Sequence, residues 1–184
     1  MVISPILRGM FGLEWNAPKH TLGITPHLPA DWTTATLRRV PFGSGGVNLS
    51  FKRRGQELIV RATGEAASEI HLESRTAGAK AEGTTLIIPL PAAEVAVRQG
   101  LPDFGAETRQ MKVLDEQHTA RGLTLTLAAP ASSRQTLLLR ENAANLNLQT
   151  HDADIGPPHN GLRTVTILFP AGDGYVTRTV TLSW

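Results

Sequence analysis

The sequence contains no cysteine. That absence removes disulfides, thiolate catalysis, cysteine-ligated zinc and iron–sulfur clusters together. Aromatic residues are scarce at 5%, with three Trp and one Tyr, so few platforms exist on which a sugar ring could stack. Charge is also sparse. Charged residues make up 18% of the chain, and 18 Lys and Arg against 16 Asp and Glu leave a net charge of +2. An imbalance this small gives no ground for a nucleic-acid partner or an anionic membrane surface. No apolar run approaches the roughly 20 residues that a membrane-spanning helix needs. The opening Met1-Val2-Ile3-Ser4-Pro5 has neither the basic start nor the sustained apolar segment of a signal peptide. The compartment stays open, a secreted or periplasmic parent protein included.

The chain does have enough apolar residues to fold, 41% over 184 positions. Val2, Ile3, Ile6, Leu7, Met10, Phe11 and Leu13 recur at spacings of three and four, which predicts a short helix with Ser4 as its cap and Pro5 in its first turn. Gly9 and Gly12 break it. A helix this short is unstable alone and needs a surface to dock on. Residues 1–15 are therefore expected to be a helix stub and corner left from a preceding domain.

From there the period changes to two. Leu22 and Ile24, Val47, Leu49 and Phe51, Leu58 and Val60, Leu123, Leu125 and Leu127, Val165, Ile167 and Phe169, and Val180, Leu182 and Trp184 all alternate with polar or small residues. Weaker alternation marks Leu37 and Val40, Ile70 and Leu72, Leu86 and Ile88, Val95 and Val97, Leu137 and Leu139, and Leu146 and Leu148. Turn residues separate the runs at Gly43-Ser44-Gly45-Gly46, Arg54-Gly55-Gln56, Glu82-Gly83, Pro102-Asp103, Arg121-Gly122 and Gly172-Asp173-Gly174. About a dozen short strands with no intervening helical pattern predict an all-β fold, an antiparallel β-sandwich. Gly100 to Arg109 and Asp152 to Gly161 read as irregular segments, and with no clear linker residues 16–184 read as one sandwich domain.

Motifs that carry chemistry are missing. The six histidines form no HxH, HxxxH or HExxH pair, so no metal site is expected, and His151, Asp152, Asp154 and His159 read as a polar loop. Gly43-Ser44-Gly45-Gly46 is neither a nucleophile elbow nor a phosphate loop. The carboxylates are scattered, and no pair stands out for glycosidic chemistry. Lys52-Arg53-Arg54 reads as a solvated hairpin turn. No catalytic residue, cofactor or metal ligand is assigned, and the chain is not expected to be an enzyme by itself. Trp32 follows Leu28-Pro29-Ala30-Asp31 in a loop. Trp32 and Trp15 are the candidate sugar contacts, with a partly buried anchoring role as the alternative for Trp32.

The run Gly9-Met10-Phe11-Gly12-Leu13-Glu14-Trp15-Asn16-Ala17-Pro18, followed by Leu22-Gly23-Ile24-Thr25-Pro26-His27-Leu28-Pro29-Ala30-Asp31-Trp32, resembles a known junction. In glycoside hydrolases of the six-hairpin, (α/α)6-barrel type, which include glycogen-debranching, glucoamylase-like and rhamnosidase-like enzymes, the last barrel helix passes through such a corner into a C-terminal β-sandwich. The resemblance covers about residues 3 to 53. It implies an accessory β-domain that packs on a catalytic barrel. The family's catalytic carboxylates lie in that barrel, so none carries over to this sequence. Two other readings stand beside this one. The first is a carbohydrate-binding module with Trp32 or Trp15 as its platform. The second is a self-associating structural β-protein that covers its apolar stub with another copy.

Overall fold

A computed structural model describes the chain except for residues 1–4, 43–44, 98–99, 101–102 and 107–108. The expected positions of Val2, Ile3 and Ser4 in the N-terminal helix, and the Gly43-Ser44 and Pro102 parts of two turns, lie outside the described residues. The fold is all-β, as the alternation predicts. The strands sort into two compact units, Met1–Leu90 and Pro91–Trp184, where the sequence pattern shows one continuous sandwich. The junction, Pro89-Leu90-Pro91, has none of the polar, glycine-rich composition by which a linker is read from sequence.

Among the described residues the first unit holds eight strands. Strands β1 (Leu13–Asn16), β2 (Thr21–Ile24) and β6 (His71–Glu73) form a three-stranded sheet in the order β1-β2-β6. Strands β3 (Thr34–Phe42), β4 (Gly45–Arg54), β5 (Glu57–Thr63), β7 (Lys80–Glu82) and β8 (Thr85–Pro89) form a five-stranded sheet in the order β3-β4-β5-β8-β7. Their inward residues meet in a single core. Leu13, Leu22, Ile24 and Leu72 come from the smaller sheet, and Val47, Leu49, Phe51, Leu58, Val60, Leu86 and Ile88 from the larger. The pairing is antiparallel except between β2 and β6, which run parallel with Leu22 opposite Leu72.

The N-terminal helix ends earlier than the apolar spacing predicts. One turn of π-type helix spans Ile6–Met10, and Leu13–Trp15 belong to β1 instead of a corner. The ribbon of β1 and β2 extends back into this turn, because Gly12 O accepts from Thr25 N at 3.0 Å and Met10 O accepts from His27 N at 2.8 Å. Gly12 has φ +60°, and a Cβ there would lie 1.8 Å from Thr25 O, so only glycine fits. Leu7 and Met10 pack against the core, and the Phe11 ring lies 5.1 Å from that of Phe51 on β4. Leu7 and Met10 of this turn are thus only partly covered by the unit's own core, and Ile6 stays exposed.

The second unit holds β9 (Ala93–Ala96), β10 (Lys112–Thr119), β11 (Gly122–Pro130), β12 (Arg134–Glu141), β13 (Asp154–Ile155), β14 (Leu162–Leu168) and β15 (Tyr175–Ser183). They form a three-stranded sheet, β10-β11-β15, and a four-stranded sheet, β13-β14-β12-β9. Leu123, Leu125, Leu127, Val180 and Leu182 of the first meet Ala93, Leu137, Leu139, Val165 and Ile167 of the second in one core. Leu146 and Leu148, expected in a strand, lie on an irregular segment that joins the sheet through the bridge of Gln149 with Ser183. Their alternation reflects side chains packed at the rim of this core, with no neighbouring strand to pair with.

Candidate functional site

The two tryptophans singled out as sugar contacts occupy different elements of the first unit. Trp15 lies on β1 opposite Leu22 of β2 and packs partly buried against the core. Its indole Nε1 is buried, with no hydrogen-bond partner among the described residues. Together with Arg8, Leu13 and Glu14 it borders an open cleft of about 410 Å³, and Glu14 is ion-paired to Arg75 at the surface. Trp32 is not part of that lining. It stands in the loop before β3, where its backbone N donates to Pro29 O at 3.0 Å, and 40% of it is exposed.

The loop that carries Trp32 is tied to the five-stranded sheet. Arg53 N donates to Thr33 O at 3.0 Å, and the Arg53 guanidinium donates through Nη2 to Leu28 O at 3.3 Å. Arg53 therefore sits half-buried under the Pro26–Trp32 segment. This corrects the reading of Lys52-Arg53-Arg54 as a solvated hairpin turn: all three residues lie on β4, and the turn itself is Gly55-Gln56. Lys52 and Arg54 face outward, and the pleat points Arg53 the other way.

Lys52 and Arg54 border a groove of about 620 Å³ on the outer face of the five-stranded sheet, with Ser50 of the same strand and Ile59 and Arg61 of β5. Arg61 was not visible as a site residue in the sequence. Its neighbours come from the β4–β5 register, which sets Arg61 opposite Ser50 and Ile59 opposite Lys52. The only available signal was that Ser50, Lys52 and Arg54, and likewise Ile59 and Arg61, are two apart.

In the second unit, His151, Asp152 and Asp154 border a small cleft of about 180 Å³ with Thr166, Leu168 and Arg178. Its acidic groups serve the fold. Asp152 Oδ2 accepts from Thr181 N at 3.3 Å, and Asp154 lies 4.0 Å from Arg134. Among the described residues no three His, Asp or Glu side chains converge as metal ligands would. The polar cluster beside β12 is also structural: Asn142 donates to Pro91 O and to Glu94, and Arg163 pairs with Glu141 at 2.8 Å.

The first unit thus offers features that could bind something: the Trp15 cleft, the exposed Trp32 and the basic groove. No protein-family model, no curated protein and no solved structure matches the chain.

Proposed function

We propose that the chain is a non-catalytic accessory β-sandwich module of a glycoside hydrolase, working beside a catalytic (α/α)6 barrel. One observation carries this reading. The residues that bear the resemblance, Gly9 to Trp32, have joint structural work in a single place. Gly12 makes the close approach to Thr25, Leu13, Leu22 and Ile24 fill the core, and the Pro26–Trp32 loop is clasped by Arg53. The motif thus builds one side of the sandwich, as a module that caps another domain requires. The purified chain is expected to hydrolyse no aryl α-glucoside or α-rhamnoside. An (α/α)6 barrel encoded in the same reading frame or operon should bind it and melt at a lower temperature without it. Glycoside hydrolysis by the chain alone, or failure of any such barrel to bind, overturns the reading.

A second reading, carbohydrate binding, is favoured by the exposure of Trp32 and by the cleft beside Trp15. An indole face open to solvent can stack on the C–H side of a pyranose, and its large apolar area makes such a contact worthwhile. Binding on a glycan array that disappears in Trp32→Ala, with circular dichroism unchanged, supports this reading. Absence of binding to every glycan on the array removes it.

A further inference from the structure

The outer face of the five-stranded sheet carries more unbalanced charge than the chain's net +2 suggests. The pleat sends Val47, Leu49 and Phe51 of β4 into the core and turns Ser50, Lys52 and Arg54 outward. On β5, Leu58, Val60 and Ala62 point inward while Ile59 and Arg61 border the groove. Lys52 and Arg54 stand two residues apart on one strand, about 6.7 Å along it. Arg61 lies diagonally across from Lys52, about 7–8 Å away by the usual geometry of such pairs. All three cations are exposed, and none has an ion-pair or side-chain hydrogen-bond partner among the described residues. Two acids share this face. Glu57 stands opposite Arg54 at the hairpin end without pairing to it, and Glu82 lies on the edge strand β7, two residues from Lys80. Hydroxyl groups flank the cations: Thr34 is opposite Lys52, Thr36 opposite Ser50, and Thr85 opposite Arg61.

We propose that this face binds an acidic polysaccharide, with uronate carboxylates on Lys52, Arg54 and Arg61 and sugar hydroxyls on Ser50 and the flanking threonines. Charge complementarity argues for a polyanion, since cations spaced along a pleat meet charges repeated along a polymer. The rest of the face argues for a sugar. A protein partner would call for an apolar, aromatic centre, and this face offers the cross-strand pair Ile59 and Ile87 with no aromatic ring in the groove's lining. Single-stranded nucleic acid would call for successive aromatic platforms, whereas Phe42 and Phe51 of this sheet are buried in the core. In the first unit the exposed Trp32 precedes by two residues Thr34, the register partner of Lys52, and offers a ring on which one pyranose could stack. The inference rests on the carbohydrate-binding reading for its ligand class and does not depend on the barrel.

The test is binding of the whole chain to polygalacturonate, to its methyl ester and to single-stranded DNA, by isothermal titration calorimetry over a range of salt. Polygalacturonate is expected to bind with an affinity that falls as salt rises, and the methyl ester at least tenfold more weakly, about the loss when one or two charge contacts go. A triple variant, Lys52→Ala with Arg54→Ala and Arg61→Ala, is expected to lower the affinity for polygalacturonate roughly tenfold or more. Its melting temperature should stay that of the parent, because the three side chains are exposed. Equal binding of acid and ester overturns the inference and leaves the carbohydrate-binding reading standing. Full affinity in the triple variant, tighter binding of DNA than of polygalacturonate, or binding of neither polysaccharide also overturns it. In the last case the glycan array with Trp32→Ala decides the broader reading separately.

Discussion

Gly12 shows how much of a fold can hang on one missing side chain. At φ +60° an L-residue pays about 1–2 kcal/mol for the left-handed backbone. Any Cβ would also press into the Thr25 carbonyl oxygen and push apart the two backbones that the bond from Thr25 N to Gly12 O holds together. The chain on either side cannot move away cheaply, because Phe11 and Leu13 are both buried. Gly12→Ala should therefore destabilise the first unit by at least about 2 kcal/mol, read as a lower urea midpoint. Gly9 is the control: a Cβ there meets nothing within 4 Å, and Gly9→Ala should leave the midpoint close to that of the parent. Of these two glycines the sequence marks both as helix breakers, but only the register of residues 12 and 25 tells them apart.

At the scale of strands, legibility follows burial. The alternation of β4, β5, β11, β14 and β15 is plain because each has one face in a core. Strand β10 was invisible for the opposite reason: all eight of its residues are exposed, so Val113 and Leu114 stand side by side and no period of two is selected. Strands β7 and β13 span three and two residues, too few to show a period at all. The groove is a mixed case. Lys52 and Arg54 stood out as a charge run, but the placement of Arg61 beside them depends on a hairpin register that the turn sets and composition does not. Exposure also has a dynamic consequence for β10, which is held by its backbone ladder to β11 and by no buried side chain of its own. Its ladder amides should exchange with solvent faster than those that link β11 to β15, a difference that hydrogen-exchange mass spectrometry or NMR would resolve. Equal protection would mean that β10 is covered in solution.

Over the whole molecule, the separate cores predict separate responses to damage. Phe51 is 1% exposed and sets its ring in tilted contact with that of Phe11 in the first core. Phe51→Ala should cost about 3–5 kcal/mol there. Leu125 is fully buried in the second core, and Leu125→Ala should cost about 2–5 kcal/mol in the second unit. Hydrogen exchange read on β4 and on β11 should show each substitution loosening its own unit first. A uniform loss of protection from either one would mean that the two cores melt together. Within the first unit, the parallel pair β2–β6 has a consequence for the order of events in folding. Leu22 and Leu72 are neighbours in space but 50 positions apart in the chain, and the whole of β3, β4 and β5 lies between them. The hairpins of the larger sheet are local and can zip early. The parallel contact must wait for a long segment to close, at an entropic cost that short turns avoid. The seam between β2 and β6 is thus the clasp expected to fasten last, while the local ribbon of β1 and β2 that carries Trp15 can form early and waits for β6 to lock it in place.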